Sequence, residues 1–171
     1  LTALQELSFF YRNQFHVPVV GVTGSVGKTT TKDLIAAVLS ERFETLKTEG
    51  NLNNQIGLPL MLTRLDSSVE AAVLEMGMSG FGEINILARL ARPTVGVITN
   101  IGESHLEMLG SREGIARAKS ELLSHLPGDG TAVANADEPL LAPHLAEAKC
   151  RVVTFGFSEN AAVRCSLQRE N

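Results

Sequence analysis

The stretch Gly21-Val22-Thr23-Gly24-Ser25-Val26-Gly27-Lys28-Thr29-Thr30 decides how the rest of this 171-residue chain is read. It continues the aliphatic run Val17–Val22 and opens a helical segment over Lys28–Arg42. Small residues in such a turn let backbone N–H groups converge on a polyphosphate, and the helix start adds its positive dipole end. Lys28 would then reach the β- and γ-phosphates, while the Thr29 hydroxyl would ligate Mg²⁺. The pattern departs from G-x-x-x-x-G-K-[ST] at its first position, where Val22 stands and Gly21 comes one place early. A glycine turn that merely joined strand to helix would not require Lys and Thr directly after it. Thr23, Gly24, Ser25, Val26, Gly27, Lys28, Thr29 and Thr30 are therefore the expected nucleotide-binding set.

Outward from this turn, short aliphatic runs alternate with helical stretches. The runs are Val17–Val22, Phe43–Lys47, Ala71–Leu74, Val95–Thr99, Thr131–Ala134 and Arg151–Phe155. The helical stretches are Lys28–Arg42, Ile56–Leu65, Gly82–Leu90, Arg112–Leu126 and Glu138–Ala148, and Leu4, Leu7, Phe10 and Tyr11 add an amphipathic entry helix over residues 3–13. Such alternation predicts an α/β fold: a mostly parallel sheet with helices on both faces, of the P-loop mononucleotide-binding type. Near-continuous apolar runs such as Val19-Val20-Gly21-Val22 fit strands buried on both sides. In open sheets of this kind ligands gather beyond the carboxyl ends of the strands. Gly24–Thr29, Asn51–Asn54, Glu75, Asn100–His105, and Asn135 with Asp137 all fall there.

Composition narrows the classes. Apolar residues make up 44% of the chain and charged residues 20%, too apolar for disorder, and no run approaches the length of a membrane span. A net charge of −4, few aromatics and no basic run argue against a nucleic-acid surface. Cys150 and Cys165 make neither a disulfide framework nor a metal-spacing motif and read as buried or inert thiols. Leu1-Thr2-Ala3-Leu4-Gln5 lacks the basic start and apolar core of a secretion signal. A soluble, cytoplasmic, monomeric domain without nucleic-acid or membrane partners is expected. The start on Leu and the polar end Ser166–Asn171 suggest a piece of a longer protein.

Three further residues carry chemistry. Glu75 closes an apolar strand, where a carboxylate is costly unless paired or bound to metal. It reads as a hard oxygen ligand for Mg²⁺, or else as a cap for the helix that follows. His105 sits in Thr99-Asn100-Ile101-Gly102-Glu103-Ser104-His105, and its place after a buried strand makes it a candidate ligand or polar site residue. Lys119 lies on the apolar stripe of Ile115, Ala118, Leu122 and Leu126, in a helix that Ser111 caps. Periodicity slightly favours a snorkelling lysine there. The other reading is a lysine converted by CO₂ to a carbamate, whose anionic oxygens would suit a metal; spacing leaves both open.

Taken together, Thr23–Thr31, Glu75-Met76-Gly77, Asn100–Leu106 and Ala116-Arg117-Ala118-Lys119-Ser120-Glu121 resemble the central ATP-binding domain of the Mur ligases, from about Leu4 to Gly156. The segments Gly50–Pro59 and Asn100–Glu107 are most similar to the branch that joins D-alanyl-D-alanine to UDP-N-acetylmuramoyl-tripeptide in peptidoglycan precursor synthesis. The resemblance implies an ATP-dependent ligase that phosphorylates the tripeptide carboxylate and couples the acyl phosphate to the amine. It implies catalytic roles for Lys28, His105 and Lys119, one Mg²⁺ on Thr29 and Glu75, and a second ion on His105 and N-carbamylated Lys119. Asn51, Asn53 and Asn54 would meet the muramoyl-peptide, while Asn135-Ala136-Asp137 matches a family turn of unassigned role. Residues 1–16 would link from a preceding UDP-gripping domain, 17–171 would form the central domain, and a further domain would close over ATP. Without those flanking domains little or no turnover is expected.

Two other readings compete. One is a related carboxylate–amine ligase, of another Mur or the folylpolyglutamate type, against which the Asn51–Asn54 and 100–107 segments weigh. The other is a non-catalytic nucleotide-binding module. A GTPase is disfavoured because no Asn-Lys-x-Asp guanine signature is present.

Overall fold

The computed structural model describes residues 1–166; Leu167–Asn171, the rest of the expected polar end, lie outside the described residues. Seven strands form one parallel sheet: β1 (Val19–Thr23), β2 (Thr45–Lys47), β3 (Ala71–Glu75), β4 (Val95–Ile98), β5 (Thr131–Asn135), β6 (Arg151–Gly156) and β7 (Val163–Arg164). Their spatial order is β2-β3-β1-β4-β5-β6-β7. Helices α1 (Thr2–Arg12), α2 (Lys28–Ser40), α3 (Gly57–Leu62), α4 (Glu83–Ala91), α5 (Leu106–Leu109), α6 (Arg112–Ser120) and α7 (Ala142–Ala146) complete the domain, with 3₁₀ turns at Glu121–His125 and Pro139–Leu141.

The strand order dictates where the helices go. Only the β1-to-β2 crossover runs toward the β2 edge; each later connection runs the other way. Because parallel crossovers are right-handed, α2 must lie on one face and the helices of the later crossovers on the other. The packing agrees. Ala36, Ile35 and Leu39 of α2 pack with Val22, Val73 and Val97, whereas Leu58, Leu62, Ile84, Leu87, Ile115 and Leu122 join the larger cluster opposite. Beside α2 an apolar hollow of about 720 Å³, lined by Val95, Val97, Val133, Val153 and Phe155 among others, is left open among the described residues.

The same order reverses the chain between β1 and β4, so the loops after these two strands diverge and leave a crevice. Register sets its floor: Val22 pairs with Glu75 on one side and Thr23 with Ile98 on the other.

Several elements differ from expectation. The fully buried residues of α1 are Gln5, Ser8 and Arg12, while Phe9 and Tyr11 pack against the main apolar cluster and Leu7 and Phe10 are exposed; polar bonds to its neighbours also hold the helix. Tyr11 donates its hydroxyl to the Leu65 carbonyl at 2.7 Å, and Arg12 donates to the Ala91 carbonyl at 2.9 Å. The expected helix over Arg112–Leu126 tightens to 3₁₀ after Ser120. There the Glu121 carboxylate accepts the Gly82 and Asn85 N–H groups at the start of α4. The stretch Glu138–Ala148 is broken because Pro143 fits only the first turn of a helix, so α7 starts at Ala142. The two-residue β7 and four-residue α5 were too short to show periodicity. Cys165 is exposed rather than buried, and both cysteines are free.

Candidate active site at the carboxyl ends of β1, β3 and β4

The turn after β1 is shaped by glycines. Gly24 has φ +149°, and a Cβ there would lie 1.9 Å from the Thr99 hydroxyl oxygen; Gly27 stands in the left-handed region at φ +80° and faces open space. Asn100 clamps the loop from β4: its carbonyl accepts the Ser25 N–H at 3.1 Å, and its side chain accepts from Val26 N–H at 2.9 Å while donating to the Val26 carbonyl at 3.1 Å. Thr99 adds a hydroxyl bond to the same carbonyl at 2.7 Å. Lys28 folds back over the turn, its Nζ donating to the carbonyls of Gly24 at 2.9 Å and Ser25 at 3.4 Å. Thr23 is fully buried, and its hydroxyl is committed to the Met76 carbonyl at 2.9 Å. Val26, Thr29 and Thr30 are exposed.

Glu75 is 2% exposed. Its two oxygens accept from the Thr29 hydroxyl at 2.9 Å and the Asn53 side-chain amide at 2.8 Å, so it does not serve as the cap of α4. Its backbone N–H donates to the Thr48 hydroxyl at 2.9 Å, and the Thr48 carbonyl accepts from Nζ of buried Lys32 at 2.9 Å. A chain of bonds thus runs from α2 through Lys32 and Thr48 to the end of β3. Sequence reading missed Lys32, Thr48 and the clamping role of Asn100. Their only signal was polar side chains at strand ends and at a position that helix packing buries.

That chain supports a prediction. Thr48→Val keeps the shape but strands the buried Glu75 N–H, and should destabilise the domain by about 1–3 kcal/mol, with Thr48→Ser restoring most of it. Denaturant unfolding midpoints of the three proteins check this.

The remaining expected residues divide. The Asn54 side chain accepts the Ile56 and Gly57 N–H groups at 3.0 and 2.9 Å and so starts α3, while Asn51 is exposed with no side-chain hydrogen bond among the described residues. His105 is exposed, holds a left-handed backbone at φ 67° and precedes α5; among the described residues it makes no hydrogen bond to Glu75 or Lys119. Lys119 is 2% exposed, so its aliphatic stem is packed inside the domain. Its ammonium has no hydrogen-bond or ion-pair partner among the described residues. Burial first, and the charge of Lys28 second, push its pKa down to about 8. Asp137 accepts the Phe157 and Ser158 N–H groups at 2.7 and 2.9 Å, tying the end of β5 to the end of β6.

The residues at the crevice fit a nucleoside triphosphate. The Ser25 hydroxyl is buried in the loop with no partner, and the space over Gly27 is empty. Thr29 and Glu75 present the hard oxygens that Mg²⁺ prefers alongside phosphate and water. Among the described residues no three His, Cys, Asp or Glu side chains form a metal cage by themselves. Mg²⁺ habitually takes its remaining ligands from substrate phosphates.

Comparison with known proteins agrees with this architecture. Residues 22–171 match the family model described as the Mur ligase middle domain. A UDP-N-acetylmuramoyl-tripeptide–D-alanyl-D-alanine ligase of Bacillus subtilis is 53% identical over 156 residues, which is 91% of this chain and 34% of that protein. The crystal structure of MurF from Acinetobacter baumannii superposes with a TM-score of 0.88 at 39% identity, over 91% of this chain and 35% of that one. MurF ligase from Thermotoga maritima, solved in complex with ADP, gives 0.85 at 37% identity over 92% of this chain and 36% of its own. The chain thus spans about a third of the length of the relatives it matches. With a family match over most of its length and a phosphate loop set at the strand crossover, the chain belongs to the Mur ligase middle-domain family.

Proposed function

We propose that the chain is the ATP-binding part of a cytoplasmic ligase that joins D-alanyl-D-alanine to UDP-N-acetylmuramoyl-tripeptide. The observation that carries this reading is the Thr29–Glu75 hydrogen bond beside a glycine-shaped phosphate loop. The named relatives supply the substrate class.

The chemical difficulty is bringing an anionic carboxylate to an anionic γ-phosphate. Here the loop N–H groups and Lys28 would draw charge from the β- and γ-phosphates as the phosphoryl group passes to the carboxylate. Mg²⁺, when bound, would supply Lewis-acid stabilisation of the same oxygens. Thr29 and Glu75 would hold it, with Asn53 and Thr48 orienting Glu75. Burial favours the neutral amine of Lys119, the form that attacks CO₂; as the N–C bond forms one N–H proton would pass to solvent, and the resulting carbamate together with His105 would be the residues to hold a second Mg²⁺. Asn51 would face the muramoyl-peptide. Residues 1–16 serve in this reading as the link from a preceding domain, although α1 packs against α3 and α4.

Two measurements test the proposal. In the longer protein, ADP formation with the UDP-muramoyl tripeptide should require D-alanyl-D-alanine and fail with single amino acids. ATP binding without cleavage would favour the module reading, and ADP formation with another amine would favour a different ligase. Residues 1–171 alone should show little or no turnover in a coupled phosphate-release assay, because the flanking domains that grip UDP and close over ATP are absent from this length of chain. Full turnover by the short chain would contradict that division of labour.

A further inference from the structure

A cleft of about 630 Å³ opens at the amino ends of β1 and β4, at the opposite end of these strands from the phosphate loop. Its ionisable lining is Arg12, His16, Arg89, Arg92 and His125, and among the described residues no Asp or Glu lines it. That is a concentration of one sign in a chain whose net charge is −4.

Among the described residues only one of the three arginines has a carboxylate partner. Arg89 pairs with Glu6 at 2.9 Å. Arg12 is 5% exposed, and its guanidinium donates to the carbonyls of Ala91, Phe15 and Val17 at 2.9, 2.6 and 3.1 Å. These neutral acceptors use three of its five N–H groups, leaving two, and none cancels the charge. Arg92 ends α4 in the left-handed conformation at φ 51°, bonded to the Asn13 side-chain oxygen, with no carboxylate partner among the described residues. The cations repel one another. Burial and then Arg92 lower the pKa of Arg12, while burial and then Arg89 lower that of His125 against the opposing pull of Glu121.

We propose that this cleft is a second anion site, built for a small phosphate-bearing ligand and separate from the phosphate loop. Two uncompensated arginines call for two negative charges, which one phosphate dianion brings and one carboxylate does not. Guanidinium groups match phosphate oxygens with paired N–H donors. The volume suits a small ligand, and Phe9 and Phe15 give it an apolar wall for an organic body.

The probe is inorganic phosphate titrated into the ¹⁵N-labelled chain against sodium chloride of equal ionic strength. The amide signals of Arg92, Thr94 and Ser124 should shift saturably. They should still do so in Lys28→Ala, where the phosphate loop has lost its cation. Arg92→Asn, chosen because Asn tolerates left-handed backbone, should weaken binding about tenfold. Phenyl phosphate binding more tightly than phosphate would assign an organic ligand, and equal affinity would assign the free ion. The proposal is overturned if no cleft signal moves in the unsubstituted chain, if the shifts vanish in Lys28→Ala, or if Arg92→Asn binds as before.

Discussion

Replacing Lys28 with Ala in the longer protein should lower ligase turnover by about 10³-fold while leaving the domain folded, since a single charged donor to a transition state is worth about 3–4 kcal/mol. Among the described residues the Lys28 ammonium hydrogen-bonds only the Gly24 and Ser25 carbonyls. The side chain is half-buried and belongs to neither apolar cluster, so its loss should leave the unfolding midpoint nearly unchanged. The penalty should appear in turnover more than in apparent ATP affinity, because the loop N–H groups and the start of α2 still hold the ground-state phosphates. Rapid-quench measurement of ADP formation at saturating nucleotide separates the two. A variant that turns over at the original rate would remove Lys28 from phosphoryl transfer and, with it, the proposed role of the whole loop.

What could be read from the sequence was what lies close together along it. Gly24, Gly27, Lys28 and Thr29 share one turn, so their chemistry is visible in six consecutive residues. Glu75 was legible for a different reason: an acid that ends an otherwise apolar strand is costly unless something answers it. The partners that answer it were not legible. Thr48 and Asn53 reach Glu75 across 27 and 22 residues, and Asn100 reaches Val26 across 74. Only the strand order brings those ends together. The face of α1 was misread because apolar spacing marks burial only when burial is driven by apolar contact. There the buried Arg12 is fixed by backbone carbonyls, the apolar contact comes from Phe9 and Tyr11, and Leu7 and Phe10 are left outside. For Lys119 periodicity placed the residue on the buried stripe, but whether its ammonium escaped to water depended on the depth of packing around α6.

That depth gives Lys119→Met an unusual expected outcome: a more stable domain and a dead enzyme. Burial lowers the Lys119 pKa from 10.5 to about 8, so between these values the unfolded chain binds more protons than the folded one. Stability from this group therefore rises as pH climbs from 8 toward 10.5, and below pH 8 the full penalty of a buried, unpaired ammonium is present. The penalty is about 3 kcal/mol, from the size of the displacement. Methionine has similar length and no charge. In CO₂-free buffer at pH 7 the variant of the 171-residue chain should thus be about 2–3 kcal/mol more stable, and its advantage should shrink toward pH 10.5. In the longer protein the same substitution should reduce ligation by about 10³-fold if Lys119 carries the proposed carbamate, whose anionic oxygens would then be lost at a site of developing charge. On the same proposal, short carboxylates such as formate or acetate should return part of the activity to Lys119→Ala, where they can occupy the space of the proposed carbamate, and less to Lys119→Met, which fills it. A domain destabilised by Lys119→Met at pH 7 would mean that the ammonium has a partner that satisfies it. Unchanged ligation would mean that the buried amine serves packing alone.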